Sequence, residues 1–272
     1  MNKRIEVGRV NTLKVNRVTE YGLFLIARDE EEVLLPNAYI DKSMHIDTLV
    51  DVFIYTDSED RLVATTLKPY VYLDKFASLE IVDIAKFGAF VDIGLPKHIL
   101  VPKNKQKTRY EVGEYKVLQL QLDERTDRLI ASEKFKLSNN NIRFEVNDEV
   151  DILVYSKTPL GFKVIVNNKN DGMIFHNEIF ETVNVGDRKR GYIKNIRDDK
   201  KLDISLQKIG RKVDDDKILH ILSQNNNKMN FTYKSKPDDI KNTFGMSKKA
   251  FKATLTKLID ANKIVLDEDS IR

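Results

Sequence analysis

Along most of the chain the apolar residues fall in short runs of Val, Ile, Leu, Phe and Tyr, the signature of strands. Val117-Leu-Gln-Leu-Gln-Leu122 alternates apolar and polar side chains, the period of a half-buried strand, and Asp123–Asp127 reads as the hairpin turn that follows. The runs also repeat as a phrase. Thr19–Ala27 (TEYGLFLIA) returns as Ala85–Ile93 (AKFGAFVDI) and again, more altered, as Thr158–Val166 (TPLGFKVIV). Val33–Asn37, Ile99–Lys103 and Gly172–His176 follow the three copies, and charged turns at Asp57–Arg61, Asp123–Arg128 and Arg197–Lys201 close each unit. Elements recurring in order mean one folding unit used three times. Its period of roughly 65 to 75 residues suits a small autonomous domain.

Several short strands in so few residues predict a small closed barrel. Gly22, Gly88 and Gly161 are expected to open a strand just after a bend, supplying the kink that lets one long strand serve both sides of the barrel. After Arg211 the pattern turns helical. Asp214–Asp216 leads into Ile218, Leu219, Ile221 and Leu222, with early carboxylates suited to a helix N-terminus, and Gln224–Lys228 breaks it. Ser235–Asp238 has the Ser-x-x-acid form of a helix start, and that helix should carry Ile240 and end near Phe244-Gly245. Ser247 caps a third helix with Phe251, Leu255, Leu258 and Ile259 on one face, and Lys263–Arg272 reads as a hairpin. Together these elements make a winged helix.

Composition, at 41% apolar and 32% charged over 272 residues, is that of a globular protein. The formal net charge is only +4, so a surface for a polyanion must be local. Residues 1–70 hold more acid than base, and Asp29–Glu32 would repel phosphate. The absence of cysteine excludes disulfides, thiolate nucleophiles and Cys-based metal sites. No secretory signal and no run of about 18 apolar residues appears, which places the expected location in the cytoplasm, away from any membrane. His45, His98, His176 and His220 are scattered, and neither a phosphate loop nor a nucleophile elbow is present. No catalytic residue, metal site, cofactor or small-molecule substrate is therefore expected.

Lys86–Gly94 (KFGAFVDIG), Glu111–Tyr115 and Leu122–Ser132 resemble the OB-fold RNA-binding repeat named after ribosomal protein S-one, most closely in the second unit and least in the third. Three such units and a distinct C-terminal module, whose Phe244–Lys252 is also similar, resemble the conserved virulence factor B family of Gram-positive bacteria over essentially the whole chain. The resemblance implies a mainly β multidomain protein: OB-fold barrels at 1–70, 71–140 and 141–213, then a small α+β winged helix at 214–272. Junctions fall near Pro69 and Ser138–Asn141. It also implies a non-catalytic, RNA-binding regulator of gene expression connected with virulence.

OB barrels lay bases on aromatic side chains while Lys and Arg follow the phosphates. Carried over from the family, the platforms are Phe87 and Phe90 in the second unit and Tyr21 and Phe24 in the first; Leu160 and Lys163 leave the third without one. Leu35, Val101 and Phe175 stand where the family has a His, and Phe175 with His176 offers a different platform. Lys86, Lys103, Lys105, Lys107, Arg109 and Arg128 are expected on phosphates of single-stranded RNA. Arg188, Lys189, Arg190 and Lys194, and Lys248, Lys249 and Lys252 of the winged helix, are candidates for further nucleic-acid surface. RNA, DNA and protein all remain open as partners of the winged helix, whose third helix has few side chains able to read bases. Two other classes stand beside this reading: a scaffold docking on ribosome or RNA-decay components, and a metal-dependent nuclease.

Overall fold

The computed structural model describes residues 1–138, 144–179, 181–208 and 213–272. The chain divides into two compact units, Met1–Leu137 and Ser138–Arg272. The first holds two five-stranded barrels and the second holds one barrel and a helical module. All but Ser138 of the expected Ser138–Asn141 junction, Arg211 at the change of pattern, and the side chains of Asp214 and Asp216 lie outside the described residues.

The first barrel is built from β1 (Val10–Thr19), β2 (Gly22–Ile26), β3 (Glu32–Pro36), β4 (Leu49–Thr56) and β5 (Leu62–Thr65). The second uses β6 (Phe76–Ala85), β7 (Gly88–Val91), β8 (Ile99–Pro102), β9 (Tyr115–Leu122) and β10 (Leu129–Ser132). The third uses β11 (Glu149–Thr158), β12 (Gly161–Val166), β13 (Asn170–Phe175), β14 (Arg188–Ile196) and β15 (Leu202–Ser205). Each closes in the order first, second, third, fifth, fourth strand, with the third and fifth parallel. The closed barrel is the one expected from the repeated strand pattern, and its strand order is the OB-fold arrangement that the resemblance implies.

The kink lies elsewhere than at the glycines. The first strand of each barrel carries an irregularity of register, between Val15 and Arg17, Ile81 and Asp83, and Val154 and Ser156. An extra residue there bends the strand so that it pairs with the second strand at one end and the fourth at the other. The glycines meet a different demand, close approach of the next strand. A Cβ on Gly22, Gly88 or Gly161 would sit 2.1, 2.4 or 2.0 Å from the carbonyl oxygen of Leu35, Val101 or Ile174.

Barrels one and two share an apolar cluster. Phe53, Tyr55 and Val63 of the first pack with Val71, Leu73, Ile93 and Leu129 of the second. Arg9 adds an ion pair to Asp74 at 2.5 Å.

The helical module comprises α1 (Val213–Gln224), α2 (Pro237–Phe244) and α3 (Lys248–Asp260). Ile218, Leu222, Ile240, Phe244, Phe251, Leu255 and Leu258 form its core. Asn226 and Asn227, both at positive φ, stop α1 from continuing. Ser247 Oγ accepts from Ala250 N at 3.1 Å and caps α3, as its position predicts. Ser235 does not cap α2. The N-cap is Lys236, Pro237 opens the helix, and Ser235 Oγ accepts from Thr232 N instead. The terminal hairpin is short: Leu266 and Met229 bridge Ile271, and Val265 and Arg272 exchange two backbone bonds.

Candidate nucleic-acid interface

The site follows from strand register. Phe90 of β7 pairs with Leu100 of β8, Leu100 with Ile130 of β10, and Ile130 with Gln121 of β9. Paired residues share a face, so these four side chains form one row across the outside of the second barrel. Three strand spacings make the row about 14 Å long. It floors a groove of about 1210 Å³, whose walls include Phe87, His98, Lys105, Gln119 and Arg128.

Phe87 lies in the turn between β6 and β7 and is 61% exposed. Lys103 N donates to its carbonyl at 3.0 Å, fixing the turn against the end of β8. The rings of Phe87 and Phe90 meet edge to face with centroids 6.0 Å apart. Two ring faces at nearly right angles offer successive bases separate stacking surfaces.

Among the expected phosphate contacts, Lys105 and Arg128 line the groove, whereas Lys86, Lys103, Lys107 and Arg109 stand outside its walls. Lys86 neighbours Phe87, and Lys103 opens the short 3-10 turn that ends at Lys105. Lys107 Nζ lies over the Phe135 ring at 5.1 Å. Arg109 is exposed. Arg128 is ion-paired with Asp60 of the first barrel. Leu100, Ile130, Gln119 and Gln121 were not singled out by sequence. The alternation in Val117–Leu122 carried the signal for both glutamines, since its polar positions face out.

The same row in the other barrels is different. In the first it runs Phe24, Leu34, Val63, Tyr55. Val63 is as little exposed as its counterpart Ile130, but Val63 and Tyr55 pack in the cluster shared with the second barrel, whereas Ile130 lines the groove. Phe24 lies under Arg17, whose guanidinium carbon is 3.6 Å from the ring centroid and whose Nη2 meets Glu32 at 2.9 Å. Tyr21 remains exposed in the turn equivalent to that of Phe87.

In the third barrel the row is Lys163, Met173, Asp203, Asn195. Asp203 accepts from Arg197 at 2.6 Å and from Asn195 at 3.3 Å. Arg197 also covers Phe175 at 5.4 Å, and His176 meets Phe162 edge to face. The register corrects one assignment: Gly161 pairs with Phe175 as Gly22 does with Pro36 and Gly88 with Pro102. Ile174, not Phe175, is therefore the counterpart of Leu35 and Val101, and all three are buried.

The basic residues of β14 are met by acids. Lys189 pairs with Glu181 at 2.9 Å, Lys194 with Glu178 at 2.5 Å and Arg190 with Glu149. Arg188, also on β14, is exposed and not without a partner. Arg190–Glu149 is exposed on both sides and the other two are partly covered; an exposed surface pair contributes about 0–1 kcal/mol. On α3, Lys249 and Lys252 are exposed, and Lys248 Nζ reaches the Lys234 carbonyl at 3.4 Å. Among the described residues no three His, Asp or Glu side chains converge as a metal site. Among them no helix is long and apolar enough to cross a membrane.

Comparison with known proteins agrees with this architecture. Residues 7–67, the first barrel, match the S1 domain model, and residues 216–272 match the CvfB-like winged helix domain. The uncharacterized protein YitL of Bacillus subtilis is 30% identical, across 94% of this chain and 90% of its own length. Conserved virulence factor B of Staphylococcus aureus is 24% identical, across 97% of this chain and 93% of its own. A solved multidomain protein with nucleic acid binding domains from Streptococcus pneumoniae is 25% identical over 98% of both chains, with a TM-score of 0.45. A first barrel of S1 type, this winged helix at the other end, and a near full-length likeness to YitL place the chain in the conserved virulence factor B family, a family of nucleic-acid-binding architecture.

Proposed function

We propose that this protein binds single-stranded RNA in the groove of its second barrel and acts as a non-catalytic, cytoplasmic regulator of gene expression. The observation that carries the reading is the row from Phe90 to Gln121, which lines the groove beside an exposed Phe87. Aromatic rings supply sequence-tolerant stacking, about 1–3 kcal/mol per base. Lys105 in the wall, with Lys86, Lys103 and Arg109 exposed or flanking nearby, supplies phosphate contacts. The glutamine amides offer hydrogen bonds to base edges. In the first barrel the equivalent row is covered, and in the third it is charged and polar, so binding is assigned to the second. Tyr21, the β14 cations and the lysines of α3 are proposed as flanking surface for a longer strand.

Fluorescence anisotropy of labelled single-stranded RNA against wild type and Phe87→Ala/Phe90→Ala tests the reading. A loss of about tenfold or more in the double variant is expected from the removal of two stacks. Equal binding by both proteins would reject the groove.

A further inference from the structure

We propose that Lys97 and Arg128 form a phosphate subsite in the groove, and that Asp60 occupies it in the free protein in place of an RNA phosphate. The inference rests on the RNA-binding reading above and adds a competitor built into the chain.

Asp60 lies in the hairpin turn between β4 and β5 of the first barrel, yet it lines the groove of the second together with Thr56, Lys97 and Arg128. The turn is held without the Asp60 side chain. Asp57 Oδ1 accepts from Glu59 N at 2.9 Å and Arg61 N at 3.0 Å, and Asp57 Oδ2 binds Arg61. The Asp60 carboxylate is left to face two cations of the other barrel. One oxygen accepts from Arg128 Nη2, and the other lies 3.8 Å from Lys97 Nζ.

Lys97 is positioned by neutral groups, donating to the Asp57 carbonyl at 2.5 Å and to Thr56 Oγ1 at 3.2 Å. A guanidinium and an ammonium converging on two oxygens of one anion is the donor set that recognises a phosphate. The carboxylate and the guanidinium both remain substantially exposed, so the pair is weak and a strand already stacked on Phe87 and Phe90 can displace it.

The test is anisotropy with a fluorescein-labelled single-stranded RNA of about twelve nucleotides, long enough for one OB barrel, on the full chain over a salt series. D60N should tighten binding about 3- to 10-fold at moderate salt and steepen the log–log salt slope by about 0.7, one phosphate's worth. E59Q removes the same charge from the same turn. Glu59 pairs with Arg61 at 3.1 Å and does not line the groove, so its effect should stay under about twofold. Adding Arg128→Gln to D60N should cancel the gain.

A D60N gain no larger than that of E59Q overturns the inference as a general charge effect. Weaker binding or no change in D60N overturns it too, leaving Asp60 as a tie between barrels. If F87A/F90A still abolishes binding in those cases, the groove stands and only the competitor fails. Binding that ignores F87A/F90A as well overturns the groove and the inference together.

Discussion

Arg17 is stacked on Phe24 and clamped there by Glu32, so the first barrel carries its aromatic under a cation of its own. Hydrogen bonds from Arg17 and Asn16 hold the Glu32 carboxyl below the usual carboxylate range. A depressed carboxyl stabilises the fold above its ordinary pKa, and that contribution is lost as pH falls through the folded value. Arg17→Ala should cost about 1 kcal/mol or less at neutral pH. The difference from wild type should shrink on acidification. Urea midpoints measured at neutral and acidic pH check both; an unchanged difference at low pH would contradict the Glu32 linkage.

Gly161→Ala should destabilise the third barrel by about 3 kcal/mol or more, since backbone must move and φ is positive. Gly113→Ala, also at positive φ but with nothing within 4 Å of the added methyl, should cost about 1 kcal/mol. Comparing the two variants in urea separates the close approach from backbone strain. Equal losses would remove the role assigned to the Ile174 carbonyl.

Burial, and then the neighbouring Tyr39 and Asp57, push the Tyr55 phenol up to about 12. An ordinary phenol ionises near pH 10, so between about pH 10 and 12 the unfolded chain loses this proton first and stability falls. Below that window the phenol is neutral in both states and stability is unaffected. Tyr110 and Tyr155 are also raised, chiefly by burial, and will contribute their own alkaline loss. Tyr55→Phe should therefore reduce, without abolishing, the drop in stability between pH 9 and about pH 11. An unchanged drop would mean Tyr55 ionises freely in the folded protein.

In the winged helix, Ser247→Ala removes the cap of α3 and should cost about 1 kcal/mol. Phe244→Ala empties the centre of its aromatic cluster, where Phe251 stacks at 5.0 Å, and should cost about 3–5 kcal/mol. Loss of helical circular dichroism on heating reads out both, and Phe244→Ala should melt well before Ser247→Ala.

The repeat, the barrel class and the helical module were legible because each rests on local signals: strand alternation, hairpin turns, Ser247 ahead of an apolar face. Phe87 and Phe90 became candidates through the phrase they share with a family, and the structure brings their two rings together with Phe87 exposed. What the phrase could not carry was anything set by pairing between strands. The bulges at Val15, Ile81 and Val154 leave no residue signature, so the kink was expected at the glycines instead. The row from Phe90 to Gln121 exists only once four strands are in register. Arg128 reads as a free cation until Asp60, 68 residues earlier, is placed beside it. Capping by Ser235 was expected from a motif that Thr232 satisfies first.

The burial of Tyr55 and Val63 makes the first two barrels a heterodimer written as one polypeptide. The sheet face that lines a groove in one sibling, the other gives to its neighbour as an interface. Excising either barrel would bare that interface to water, so a fragment meant to keep it covered should run unbroken through Leu137 rather than stop near Pro69.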